Sequence, residues 1–346
     1  MTQARVPSAG ADWRAVVAAY QRPDPVRAIA QVATTLLPLA IAFYLMYRSL
    51  ALPYWTTLVL AFPAAGLLVR TFIIMHDCAH GSFLPWKRAN AVIGWVTGVL
   101  TMTAFGQWRH DHALHHASAG DLNHRGHGDV ATLTVREYAA LTRLQRLRYR
   151  LVRNPLVMFG LGPLHWVLTN RLPPRGKTAA RRRIGVWSAN AAIATLFAGA
   201  SLWIGWRAVL LIYGPSMYLA AAAGIWLFYV QHQFEGTYWK AHGEWDFATA
   251  AICGSSYLKL PPVLHWFTGS IGLHHVHHAA PKIPNYRLQS CHDANALFQQ
   301  SPVATLRSGT AALRLALWDE SRGRMIRFRD IAQYVEPADQ PARQGD

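Results

Sequence analysis

The chain of 346 residues is short of charge, of acid and of thiol. Charged residues make up 15%, against roughly a quarter in soluble domains. Together with 52% apolar residues, that argues against a disordered chain and against a soluble basic nucleic-acid binder. The three cysteines, Cys78, Cys253 and Cys291, form no CxxC pair, so neither a disulfide framework nor a thiolate zinc site can be built. Only 17 acidic residues face 34 Lys and Arg, a formal net charge of +17. No Rossmann glycine fingerprint is present. Residues 1–27 hold no apolar core, which argues against a cleaved signal peptide.

The apolar residues are concentrated in long runs. Twenty uncharged residues lie between Arg27 and Arg48, 21 between Arg48 and Arg70, 23 between Arg183 and Arg207, and 23 from Ala208 to Val230. A hydrocarbon core of about 30 Å takes about 20 residues of helix, so each run is long enough to span. Four such runs in one chain are hard to explain as buried helices of a soluble protein. The expected fold is an all-α integral membrane protein with four transmembrane helices (28–47, 49–72, 184–206 and 208–230) in two hairpins. Two further uncharged stretches, Ala89–Trp108 and Asn154–Asn170, are interrupted by glycine or proline.

Basic residues set the orientation. One Arg lies in each turn between paired runs (Arg48, Arg207), whereas Lys87–Arg183 holds 16 Lys and Arg. Positive-inside logic puts that segment, both termini and the region after Val230 in the cytoplasm. Attraction to an anionic membrane surface then explains the net charge, with no call for nucleic acid. Between Arg136 and Arg153, leucines and arginines fall on separate helical faces, as in an amphipathic helix lying at the headgroups.

Histidine is the other excess, with 17 in the chain. Three short boxes stand out: His76 and His80; His112, His115 and His116; His274, His277 and His278. Spacings of three and four put side chains on one helical face. A lone histidine is more often a core or surface residue than a ligand, but three repeats of this spacing point to a metal. Imidazole suits Zn, Cu, Fe and Ni. Eight or nine nitrogens exceed the four of a zinc site and point to two metals of higher coordination, with iron the natural choice for O₂ chemistry. Haem needs at most two histidines each. One metal centre requires all boxes on one side of the membrane. That holds only if neither Ala89–Trp108 nor Asn154–Asn170 crosses it, so both are expected to lie on the surface or to be re-entrant.

At these boxes the chain resembles the membrane-bound fatty acid desaturase family, in its bacterial acyl-lipid, Δ12/ω3-like branch. HDCAHGSF (His76–Phe83), WRHDHALHH (Trp108–His116) and GLHHVHHAAPKIPNYRL (Gly272–Leu288) match its three boxes in order. VQHQFEGTYW (Val230–Trp239) is similar to the element before the third box. The resemblance covers about Arg27–Asp293. It implies a membrane desaturase domain (28–293) between a cytoplasmic N-terminal segment (1–27) and a cytoplasmic tail (294–346). A helical cytoplasmic cap (76–183 and 231–293) would hold a di-metal site.

The resemblance further implies two iron ions as cofactor, O₂ as co-substrate, and ligands His76, His80, His112, His115, His116, His274, His277 and His278, with His232 as the ninth. Asp77 and Asp111 are the best candidates to accept the second ring N–H of a ligand, followed by Glu235 and Asp246. His110 and His275 sit beside boxes as supporting or packing residues. His124 and His127 read as surface residues, and His165, His242, His265 and His292 as structural ones. The implied reaction introduces a cis double bond into a fatty acyl chain carried by a membrane lipid or an acyl carrier. No HPGG motif of a fused cytochrome b5 is present, so electrons are expected from a separate ferredoxin-like or cytochrome partner. The expected location is the bacterial inner membrane. Alternatives are a di-iron hydroxylase or carotenoid ketolase on the same boxes, and, in another class, a zinc-dependent membrane hydrolase or a haem electron carrier.

Overall fold

The computed structural model describes residues 13–126, 130, 132–176 and 179–333. Four helices in it are long and apolar enough to cross a membrane: Pro25–Ser49 (span 1), Trp55–His80 (span 2), Ala180–Ile204 (span 3) and Trp206–His232 (span 4). Asp24 starts span 1 as an N-cap, accepting from the Val26 and Arg27 amides at 3.0 and 3.2 Å, with Pro25 at the first position. Gly81 ends span 2 in the left-handed region (φ 66°), where a residue without Cβ carries no steric cost.

Spans 2 and 4 extend past the runs read from hydropathy, by enough to include their histidines. Span 2 has 26 residues, about 39 Å at 1.5 Å per residue. That exceeds a hydrocarbon core of about 30 Å. Span 2 is also the central element, packed against spans 1 and 4 and against the helix that follows it. Leu67, Leu68, Leu227 and Val230 belong to the main core between these helices. In contrast, Leu202 and Trp203 at the end of span 3 are almost fully exposed, as lipid-facing residues are.

Ala89–Trp108 is not one straight helix. Lys87–Leu100 and Phe105–Ser118 meet at a bend of 101°. Two glycines allow the close return. A Cβ on Gly94 would stand 2.4 Å from the Phe105 ring, and one on Gly98 would stand 2.8 Å from the Thr103 carbonyl oxygen. Asn154–Asn170 folds as two short helices, Pro155–Gly160 and Gly162–Thr169, the longer of them about 12 Å and too short to span. Tyr218 of span 4 donates to the Phe159 carbonyl at 2.8 Å and holds the first of them.

Two sequence expectations need correction. The Arg136–Arg153 helix is broken in two, Val135–Ala140 and Arg143–Val152, because Thr134 and Thr142 each start a new helix with a capping box. The chain is also mostly helical rather than all-α. Leu133–Thr134, Leu315–Asp319 and Arg324–Arg327 form a three-stranded sheet. The last two pair antiparallel, and the turn joining them contains Gly323 at φ 59°. Strands this short leave too few residues for an alternating pattern to register.

Candidate metal centre

Each histidine box is placed by a helix. His76 and His80 occupy the last two turns of span 2. His112, His115 and His116 lie on Phe105–Ser118, beyond the bend. His274, His277 and His278 fill the six-residue helix His274–Ala279, and His232 is the last residue of span 4. From these four helices the nine imidazoles converge into two adjoining groups. His76, His80, His112, His116 and His277 form one; His115, His232, His274 and His278 form the other. Within each group the candidate ligand atoms all lie within 4.8 Å of one another. The groups touch where the His116 and His278 rings stack, centroids 4.3 Å apart.

The ring nitrogens point at each other. Nε2 of His232 stands 3.2 Å from that of His115 and 3.0 Å from that of His274. Nε2 of His116 stands 3.1 Å from that of His112 and 3.0 Å from that of His277. The buried His80 Nε2 has no hydrogen-bond partner. A neutral imidazole carries one proton for two nitrogens, so Nε2 atoms this close bring lone pairs together, and an unpartnered buried nitrogen such as His80 Nε2 is costly. Burial first, and neighbouring rings second, push His112, His116, His274, His277 and His278 well below the ordinary imidazole pKa. Neutral rings with converging lone pairs are what a metal needs. Donor sets of five and four nitrogens therefore fit two metal ions.

The surroundings brace the rings. His76 Nδ1 lies 3.0 Å from Asp77 Oδ1. The other Asp77 oxygen accepts from the Asn285 amide at 2.6 Å and its side chain at 2.8 Å, tying box one to the segment after box three. Asp111, also expected to accept a ring N–H, instead accepts two 2.8 Å bonds from Gln107 and bonds to no histidine ring among the described residues. Two aromatics each stand one turn before a histidine: Trp108 stacks on His112, and Phe228 lies 5.0 Å from His232 and 5.1 Å from His115. The i, i+4 spacing is their only sequence signal, and sequence reading assigned neither to the site.

The remaining candidates lie elsewhere. Glu235 pairs with Arg324 at 3.3 Å, and Asp246 caps the helix Phe247–Cys253, so neither serves the histidines. His110 and His165 are exposed. His275 is buried against His292, Nε2 to Nδ1 3.1 Å. His124 and His242, read as surface and structural residues, share one carboxylate, that of Asp121. His127 lies outside the described residues.

Comparison with known proteins points to one family. The fatty acid desaturase family profile matches residues 49–307. A fatty acid desaturase of Bacillus subtilis is 42% identical over 331 residues, 95% of this chain and 94% of that protein. The sn-1 acyl-lipid omega-3 desaturase (ferredoxin) of Synechocystis is 27% identical over 236 residues, covering 64% of this chain and 62% of that one. A chloroplastic omega-6 fatty acid desaturase of Arabidopsis thaliana is 23% identical over 288 residues, 78% and 59% of the two chains. With its histidine-rich centre among four apolar helices, the chain belongs to the fatty acid desaturase family of membrane oxidoreductases.

Proposed function

We propose that the protein is an O₂-dependent fatty acyl desaturase that holds two irons on nine histidines. His76, His80, His112, His116 and His277 would take one iron and His115, His232, His274 and His278 the other. The observation that carries this reading is the convergence of nine imidazoles, and nothing softer or harder, from four helices. A group of five nitrogen donors beside a group of four exceeds the closed four-ligand zinc site and favours iron. When bound, the irons supply the reduction of O₂ to two waters, with two external electrons, that removes two hydrogens from adjacent methylenes.

The protein's own groups do the rest. Asp77 fixes the tautomer and orientation of His76. Trp108 covers His112 in one group, and Phe228 covers His115 and His232 in the other, shielding those rings from water. An apolar groove lined by Leu58, Phe62, Leu164, Pro215, Tyr218 and Leu219 opens between spans 2 and 4. It is the proposed berth for the far end of the acyl chain, with Phe72 and Trp108, in edge contact at 5.3 Å, walling the way to the histidines.

In the proposed topology spans 1–2 and 3–4 are two hairpins and the bent pair is re-entrant. The histidine-bearing segments 76–183 and 231–293 form a cytoplasmic cap, between cytoplasmic 1–27 and 294–346, on the bacterial inner membrane. Leu144, Leu147 and Leu151, exposed on one helix among arginines, suit contact with the headgroup layer. The Synechocystis relative's name supports a lipid-linked acyl substrate and a ferredoxin-like donor, which the basic surface would steer if acidic. The test is expression in a host lacking polyunsaturated lipids, with fatty acid methyl esters located by double-bond position. A new cis double bond, lost in His116→Ala, is expected. Hydroxylated or unchanged acyl chains in iron-loaded, folded protein would refute desaturation.

A further inference from the structure

Apart from the nine histidines, one more set of donor groups converges among the described residues. Asp121 follows the helix that carries box two, and its side chain is only 3% exposed. Its Oδ1 accepts the Asn123 amide at 2.8 Å. Its Oδ2 faces two imidazoles from separate segments, His124 Nδ1 and His242 Nδ1, each at 2.7 Å. The three candidate ligand atoms lie within 4.8 Å of one another. The two rings, 4.6 Å apart and inclined by 72°, reach the same oxygen from different directions rather than stacking.

The segments are already joined without these side chains. The Leu122 amide donates to the Lys240 carbonyl and the Lys240 amide to the Gly120 carbonyl, both at 2.9 Å, while the His242 amide donates to Asn123 Oδ1 at 2.8 Å. Backbone pairing therefore fixes the positions of Asp121 and His242, and the imidazoles are additional to it. Burial pushes the Asp121 carboxyl up, but the bonds from both imidazoles and the Asn123 amide outweigh burial and hold it below its usual range. The carboxylate is an anion with two imidazole nitrogens aimed at one of its oxygens.

We propose that Asp121, His124 and His242 form a third metal site, a two-histidine, one-carboxylate site for a zinc-type divalent ion. The ion would take the Nδ1 lone pair of each ring, the bound neutral ring carrying its single proton on Nε2, and water would complete the tetrahedron. Ligation at about 2.0–2.1 Å sets neighbouring ligand atoms about 3.3 Å apart, so each 2.7 Å contact opens by about 0.6 Å. Both rings are more than half exposed and have room to swing that far. The ion would lock the segment after His115 and His116 to the segment after His232, bracing two of the four helices that carry the histidines. Its role is structural.

The experiment uses the full-length purified protein with zinc chloride as the only added metal, read by equilibrium dialysis and elemental analysis. Wild type is expected to hold one zinc equivalent more than His124→Gln and His242→Gln, and zinc should raise the melting temperature of wild type alone. Both substituted side chains are exposed, so folding is retained, and unchanged iron content checks it. Equal zinc content in all three proteins overturns the proposal and leaves a hydrogen-bonded carboxylate only. The readout is a zinc difference, so it stands whether or not the nine-histidine centre holds iron.

Discussion

The ring of Trp108 lies flat on the imidazole of His112, centroids 4.3 Å apart and planes inclined by 21°. It also meets Phe72 edge-on and His76 at 5.6 Å. Trp108→Ala removes this wall while leaving every imidazole in place. Loss of a supporting partner costs a metal site about 10–100-fold in affinity or activity. The variant should fold, release iron to a chelator about tenfold faster, and desaturate correspondingly less. Iron release at the wild-type rate would show that the indole is only packing.

Asp77 is buried and serves two masters, the His76 ring and the Asn285 amide and side chain. Asp77→Asn keeps the shape but turns one acceptor into a donor that faces the Asn285 donors. Iron affinity is expected to fall by about 10–100-fold, measured by competition with a chelator of known strength, with helix content by circular dichroism unchanged.

Gly94 and Gly98 let the bent pair close. Gly94→Leu drives its side chain into the Phe105 ring, where even a Cβ would sit at 2.4 Å. Overpacking of this kind costs about 1–3 kcal/mol, and here it also swings the helix bearing His112, His115 and His116. The expected result is a lower melting temperature with iron loss, whereas Gly106→Ala, with nothing within 4 Å of a new Cβ, should leave both unchanged.

His275, which follows His274 but belongs to neither metal group, supplies a pH test. Burial, with His292 as the second cause, pushes it down to about 3, from about 6.5 in an unfolded chain. The unfolded state therefore binds the extra proton between about pH 3 and 6.5. Stability from this residue is complete above that window and falls as pH drops through it, by about 2 kcal/mol at pH 5. His275→Phe should lose less stability than wild type between pH 7 and pH 5 in thermal melts. An identical loss would mean that His275 titrates normally.

Much of the centre is legible in the sequence because helical spacing makes it so. His76 and His80, or His112 and His116, share a face whatever surrounds them. Which rings share a group is not legible. Box two sends His112 and His116 to one group and His115 to the other, and box three divides His277 from His274 and His278. That division depends on how the helices are rotated against each other, which is a property of packing. The re-aiming of box two by a bend could be suspected from Gly94 and Gly98, but not its angle. Asp121 was invisible for the same reason as the division of the boxes. Its partner His242 lies 121 residues away, and no local pattern joins them. The carboxy-terminal sheet escaped because Leu315–Asp319 and Arg324–Arg327 are short and gain their order from Tyr149 and Arg153, which bond the Ala316 carbonyl at 2.6 and 3.0 Å.

X-ray absorption at the iron edge of the purified protein, with iron counted per chain, tests the central claim most directly. The account predicts two irons per polypeptide in a shell of imidazole nitrogens, lost together with desaturation when His80 or His278 is replaced. A single iron, a haem Soret band, or a sulfur-rich shell would contradict it.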